Sequence, residues 1–136
     1  MLIEHLFFHF VTQEKQHNDV TPLQTKLCKA IAIVLGNTAE VQKLDKARRH
    51  HKTNPNNRER ANDYLSKLAL VQSNVLSEQR KLKRRFEDWE KEFFVTHNCL
   101  LALPEDVNND PAATELNKKL NCARALLWEW NIDALG

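Results

Sequence analysis

The chain has 136 residues, 42% of them hydrophobic, which suits one core and excludes several. Its formal net charge is +2, from 20 basic and 18 acidic side chains, so no field of one sign surrounds it and the total does not demand a polyanionic partner. With only 2 Gly and 4 Pro the chain predicts helices joined by short turns and no substantial sheet, and three scattered cysteines, Cys28, Cys99 and Cys122, exclude a secreted disulfide framework and fit an intracellular setting, cytoplasmic or nuclear.

A first helix is predicted over about residues 2–16. Ile3, Leu6, Phe7 and Phe10 form one stripe, while Phe8 and Val11 lie off it, so the helix is apolar on most faces and needs cover from the rest of the chain or from a second molecule. The run lacks a basic flank and a small-residue cleavage site, carries Glu4 and two histidines, and is shorter than the roughly 20 apolar residues of a membrane span, so it reads as a helix of the fold. A membrane-surface contact through it is disfavoured, because it has no basic polar face.

The second helix is predicted over 21–52. Thr21 is placed to cap it, Pro22 suits its first position, and Val20, Leu23, Leu27, Ala30, Val34, Val41 and Leu44 make its apolar stripe, with Asn37 on the same line. Gly36-Asn37 is its weak point, where a kink or break is acceptable. Arg48-Arg49-His50-His51-Lys52 closes it with cations that suit the helix dipole.

Thr53-Asn54-Pro55-Asn56-Asn57 reads as a turn, and the third helix follows over 58–97, about 60 Å long. Its core positions read Ala61, Leu65, Leu68, Gln72, Val75, Gln79, Leu82, Phe86, Trp89 and Phe93, a coiled-coil-like alternation of steps of four and three. Gln72 and Gln79, with Asn37 opposite, either fix register or mark where the seam opens to water. After a loop with one helical turn at Pro104-Glu105-Asp106, Asp110-Pro111 begins a last helix over 111–131, whose stripe Leu116, Leu120, Ala123, Leu127 and Trp130 is expected to fold back on the aromatic end of the third. The fold class expected is all-α: a single domain, residues 1–136, forming an antiparallel helical bundle built on a long coiled-coil-like hairpin.

No motif for catalysis emerges. The sequence has no Gly-rich phosphate loop and no serine elbow, and Glu90 and Glu92 sit on a charged helix surface where nothing raises a carboxyl pKa. His5 and His9 lie one turn apart but find no further ligands in register, so structural histidines are the better reading and neither metal nor cofactor is expected. His97 and Cys99 lack an orienting third group.

Two basic clusters, residues 46–52 and 80–85, offer Arg48, Arg49, Lys81, Arg84 and Arg85 to phosphates, although a solvated helix face explains them as well, with Glu78, Glu87, Asp88 and Glu90 close to the second. Trp128 and Trp130 point about 200° apart. If Trp130 packs inside, Trp128 faces outward as an interface anchor unless the loop or the first helix covers it.

Leu82-Lys83-Arg84-Arg85-Phe86-Glu87-Asp88-Trp89-Glu90-Lys91-Glu92-Phe93, then Pro104-Glu105-Asp106-Val107 and Leu116-Asn117-Lys118-Lys119-Leu120, resembles the helical segment at the amino terminus of the Rothmund-Thomson-type RecQ helicase and its yeast replication-initiation relatives. It is also similar to helical hairpins of some Rho GTPase-activating proteins. The resemblance spans Leu82 to Arg124. It implies a mixed role in binding protein and DNA, with Trp89 and Phe93 as packing core; Asn98-Cys99 stands where the family has Gly-Arg.

The sequence therefore predicts a non-catalytic adaptor, scaffold or oligomerisation domain that binds a protein partner or itself through Phe7, Phe8, Val11 and Trp128. A helical nucleic-acid-binding module using the two basic clusters is the alternative.

Overall fold

The computed structural model describes residues 22–133. Within them lie five helices and no strand: α1 (Lys26–Leu35), α2 (Ala39–Thr53), α3 (Arg58–Thr96), α4 (Pro104–Asn109) and α5 (Pro111–Glu129). The first predicted helix, with Phe7, Phe8, Val11, His5 and His9, lies outside the described residues.

The second predicted helix is two. Gly36 takes φ 83° and ψ 173°, a region closed to residues with a Cβ, and Thr38 restarts the chain by accepting a hydrogen bond from the Val41 amide. The start also moves. Pro22 stays outside the helix, and Thr25 is the cap, its hydroxyl accepting from the Cys28 amide at 3.2 Å.

A tertiary contact selects that start. Asp45, buried in α2, accepts from the Gln24 amide at 3.2 Å and the Thr25 amide at 3.1 Å, tying the approach to α1 against the middle of α2. With the break in place, α1 is free to sit inside the molecule. Cys28, Ala30, Ile31, Ala32, Ile33 and Val34 are all buried, so it is apolar on most of its circumference and packs against α2, α3 and α5.

Asn57 caps α3 by accepting from the Arg60 amide at 3.1 Å, so the long helix starts where the sequence places it. At 39 residues it extends about 58 Å. Its buried line differs from the predicted seam in the first half. Val71, Val75, Gln79 and Leu82 are buried and Tyr64 and Leu68 pack against the core, whereas Leu65 is 57% exposed. An α-helix drifts about 20° per heptad against a strict seven-residue repeat, which moves the inward line one residue back before Val75. Asn37 does not face the seam glutamines either; its carbonyl groups accept from Gln42 Nε2.

α2 lies against α3 across the Asn54–Asn57 turn: Arg48 donates to the Tyr64 hydroxyl at 2.8 Å and His51 stacks on the same ring at 5.6 Å. At the other end Asp110 caps α5, accepting from the Ala112 and Ala113 amides, while its second oxygen accepts from the Trp89 indole at 3.0 Å. The last helix therefore begins beside the aromatic segment of α3, as its stripe predicts, and carries Leu120, Cys122, Ala123, Leu126 and Leu127 into the core. No helix among the described residues is long and apolar enough to cross a membrane.

Candidate functional site

Trp128 is a predicted contact residue that the structure leaves open. It stands on the last turn of α5 at 83% exposure, not covered by the 100–110 loop, while Trp130 packs against the core. The end of the helix fixes this outward direction. Asn131 adopts φ 58°, its amide donates to the Trp128 carbonyl, the Ile132 amide reaches the Leu127 carbonyl at 2.9 Å, and Ile132 packs onto the core. This is a left-handed helix stop locked by an apolar residue beyond it, with Asn in the place glycine usually takes. The indole is thus presented on a rigid support.

A second apolar surface lies at the far end of α3, where sequence reasoning sees only a loop. Val95, Leu100, Leu101 and Leu103 are all more than half exposed. Two consecutive left-handed residues, Asn98 at φ 55° and Cys99 at φ 61°, reverse the chain there, with the Cys99 amide donating to the Phe94 carbonyl at 2.9 Å. His97 stacks on Phe93 at 3.8 Å, and its Nδ1 lies 3.0 Å from both the Phe93 carbonyl oxygen and the Thr96 hydroxyl. The imidazole therefore belongs to the helix end, leaving Cys99 exposed and without a base oriented toward it. The run Leu100-Leu101-Ala102-Leu103 is the signal that could have found this patch, since loops seldom carry three leucines without cover.

In the first basic cluster Arg48, Arg49 and His51 are partly buried and contact the fold, while Lys46, His50 and Lys52 are exposed. Arg48 bonds Tyr64 and its guanidinium carbon lies 5.8 Å from that ring centre, while Arg49 Nε sits 3.6 Å from Asp45 Oδ2. Arg49 also borders a cavity of about 320 Å³ with Lys43, Lys46 and Leu23, but the carboxylate in its lining, Asp45, is already occupied by backbone amides. The second cluster is different: Lys81, Arg84 and Arg85 are exposed, and none of them takes part in an ion pair among the described residues, as Arg49 does with Asp45.

The residues behind the family resemblance form a packed ladder on α3. Phe86 and Trp89 stack at 5.9 Å, Trp89 meets Phe93 at 5.5 Å, and the Trp89 indole hydrogen bond is the largest influence holding the Asp110 carboxyl below its usual range, ahead of the Ala113 amide. Burial raises two thiols, Cys28 to about 11 and Cys122 to about 12; the Cys122 Sγ–H donates to the Ala30 carbonyl at 3.4 Å. Both act as small core residues. Among the described residues no group of three or more His, Cys, Asp or Glu side chains is placed to hold a metal ion. No known family, curated protein or solved structure matches the chain.

Proposed function

We propose that this chain is a non-catalytic interaction domain that docks onto a partner protein through Trp128, with the leucine-rich tip of α3 as a further apolar contact. The observation that carries the reading is an 83% exposed tryptophan on a helix end whose orientation is locked by Asn131 and Ile132. Such a side chain meets its partner at little ordering cost, because the backbone beneath it is already fixed. Phe7, Phe8 and Val11 belong to the same proposal as an apolar face outside the described residues.

The supporting architecture is an antiparallel bundle in which α2 and α3 form a hairpin and α5 returns along α3. The Arg48–Tyr64 and Trp89–Asp110 contacts at opposite ends of α3 favour that arrangement. Three unpaired cysteines favour an intracellular setting. The mixed protein and DNA role implied by the RecQ-like segment is carried over only as far as the Phe86–Trp89–Phe93 ladder.

A photo-crosslinking side chain at position 128, with Lys118 on the same helix as control, tests the reading. The expected result is an adduct at 128 and not at 118, competed by excess wild-type chain but poorly by Trp128→Ala. Equal competition by Trp128→Ala would overturn it. The nucleic-acid alternative narrows to Lys81, Arg84 and Arg85, because Arg48 and Arg49 are engaged internally. Phosphate binding there would weaken steeply with salt, whereas an apolar contact would barely respond.

A further inference from the structure

We propose that a second copy of this chain docks antiparallel along one exposed flank of α3, through the stripe Lys81, Arg85, Asp88 and Glu92. Steps of four, three and four at about 100° per residue place these side chains within a band about 60° wide. The centre of the band lies about a quarter turn or more from the buried line of Val75, Gln79 and Leu82, and all four residues are exposed.

The order of charge along the band identifies the occupant. It reads plus, plus, minus, minus over about 17 Å. A copy of the same helix running the opposite way presents minus, minus, plus, plus, so Lys81 faces the second copy's Glu92 and Arg85 faces its Asp88, and the two-fold axis repeats both pairs. A self-complementary patch related by a two-fold axis is what a closed homodimer requires. A parallel copy would oppose like charges at every position.

Within one chain the stripe is poorly satisfied. Lys81 with Arg85, and Asp88 with Glu92, are like-charged neighbours one turn apart, an unfavourable spacing. The opposite charges of Glu78 to Lys81, Arg84 to Asp88 and Arg85 to Asp88 offset it only in part, since none of these closes to an ion pair among the described residues. Among the described residues none of the four makes an ion pair, although an i,i+4 charge pair forms elsewhere on the same helix, between Lys67 and Asp63. An antiparallel copy would meet each charge with its opposite. A polyanion would match Lys81 and Arg85 but be repelled by Asp88 and Glu92 in the same band, so a second copy fits better than nucleic acid. This surface is separate from Trp128 and the leucine tip, and the inference does not depend on the reading given for those residues.

The test is the solution mass of the full chain by light scattering across a concentration series, at about 50 mM and about 500 mM salt. Because the interface is built on exposed charge, the dimer should weaken by about tenfold or more over that range. K81E/R85E leaves an all-acidic band and D88K/E92K an all-basic one; each alone is expected to stay monomeric at low salt, and an equimolar mixture to form a one-to-one dimer. The fourfold swap K81E/R85E/D88K/E92K reverses the order and should dimerise again. All four positions are solvent-exposed, so each variant is expected to fold, which circular dichroism is to check. A wild type that is monomeric at low salt, a dimer that survives in K81E/R85E, or a wild-type monomer that binds duplex DNA through Lys81 and Arg85 would each overturn the proposal.

Discussion

Replacing Gln79 should stabilise the protein, although it removes a polar group from the middle of the longest helix. Gln79 is 3% exposed on the core line of α3, and its Oε1 has no hydrogen-bond partner among the described residues. An amide oxygen withdrawn from water without compensation costs about 1–3 kcal/mol. Gln79→Met keeps an unbranched side chain of similar length, removes that oxygen, and gains about 0.8 kcal/mol for each extra methylene-sized group buried. Imperfect fit returns up to about 1 kcal/mol. The net expectation is about 1–2 kcal/mol of added stability, a rise in Tm of about 3–8 °C, read by far-UV circular dichroism in thermal and urea melts with an unchanged m-value. Gln79→Glu provides the opposing control. Desolvation would raise the folded-state pKa of the introduced carboxyl above its unfolded value of about 4.3, so the variant holds its stability below that value and loses it as pH rises through the raised pKa. If Gln79→Met melts with 1 kcal/mol or more of lost stability at constant m, the oxygen is satisfied after all and the amide serves to hold the seam in register.

Asp45→Ala strips two backbone amides of a carboxylate partner and should cost about 2–4 kcal/mol in urea denaturation, whereas a loss under 0.5 kcal/mol would show that water replaces it. Gly36→Ala meets no atom within 4 Å of the new Cβ, so its expected cost of about 1–3 kcal/mol is purely conformational and should appear without loss of helical content. The Asp110 carboxyl is held low chiefly by the Trp89 indole; its folded pKa lies below the unfolded one, so this contribution is present above about pH 4 and is lost as pH falls through the folded value. The Trp89 indole proton resonance should move with that acid transition, and Asp110→Asn should abolish the movement. Cys99 should react with a thiol-specific disulfide reagent within minutes at neutral pH, while Cys28 and Cys122, raised to about 11 and about 12, wait for unfolding.

Features written in local chemistry could be read directly from the chain. Asn57 after a Pro-containing turn starts α3, and Asp110-Pro111 starts α5, because a side-chain acceptor and a preset φ act within three residues of each other. Features that depend on distant partners could not. Thr21-Pro22 satisfies every local rule for a helix start, yet Asp45, twenty residues from Thr25, accepts from the Gln24 and Thr25 amides, and the helix starts at Lys26. The inward line of α3 is a different case: helix drift brings Tyr64 inward in place of Leu65, and Arg48 and His51 of α2 then engage its ring.

The candidate surfaces divide along the same line. Trp128 follows from the opposite direction of Trp130 once one of the pair is assigned to the core, and the structure settles that assignment through Ile132 and the left-handed Asn131. The run Leu100-Leu101-Ala102-Leu103 signals the leucine tip, but whether it is covered depends on the whole fold: α5 begins beside Trp89, and Leu100 and Leu101 stay more than half exposed. The basic residues show the converse. Arg48 and Lys81 look equivalent in composition, yet the first is held by Tyr64 and the second stands free on a flank whose charge order reverses at Asp88. Charge that is spent inside the fold is less available to a partner, which is why the proposed self-contact rests on Lys81 and Arg85 and not on Arg48.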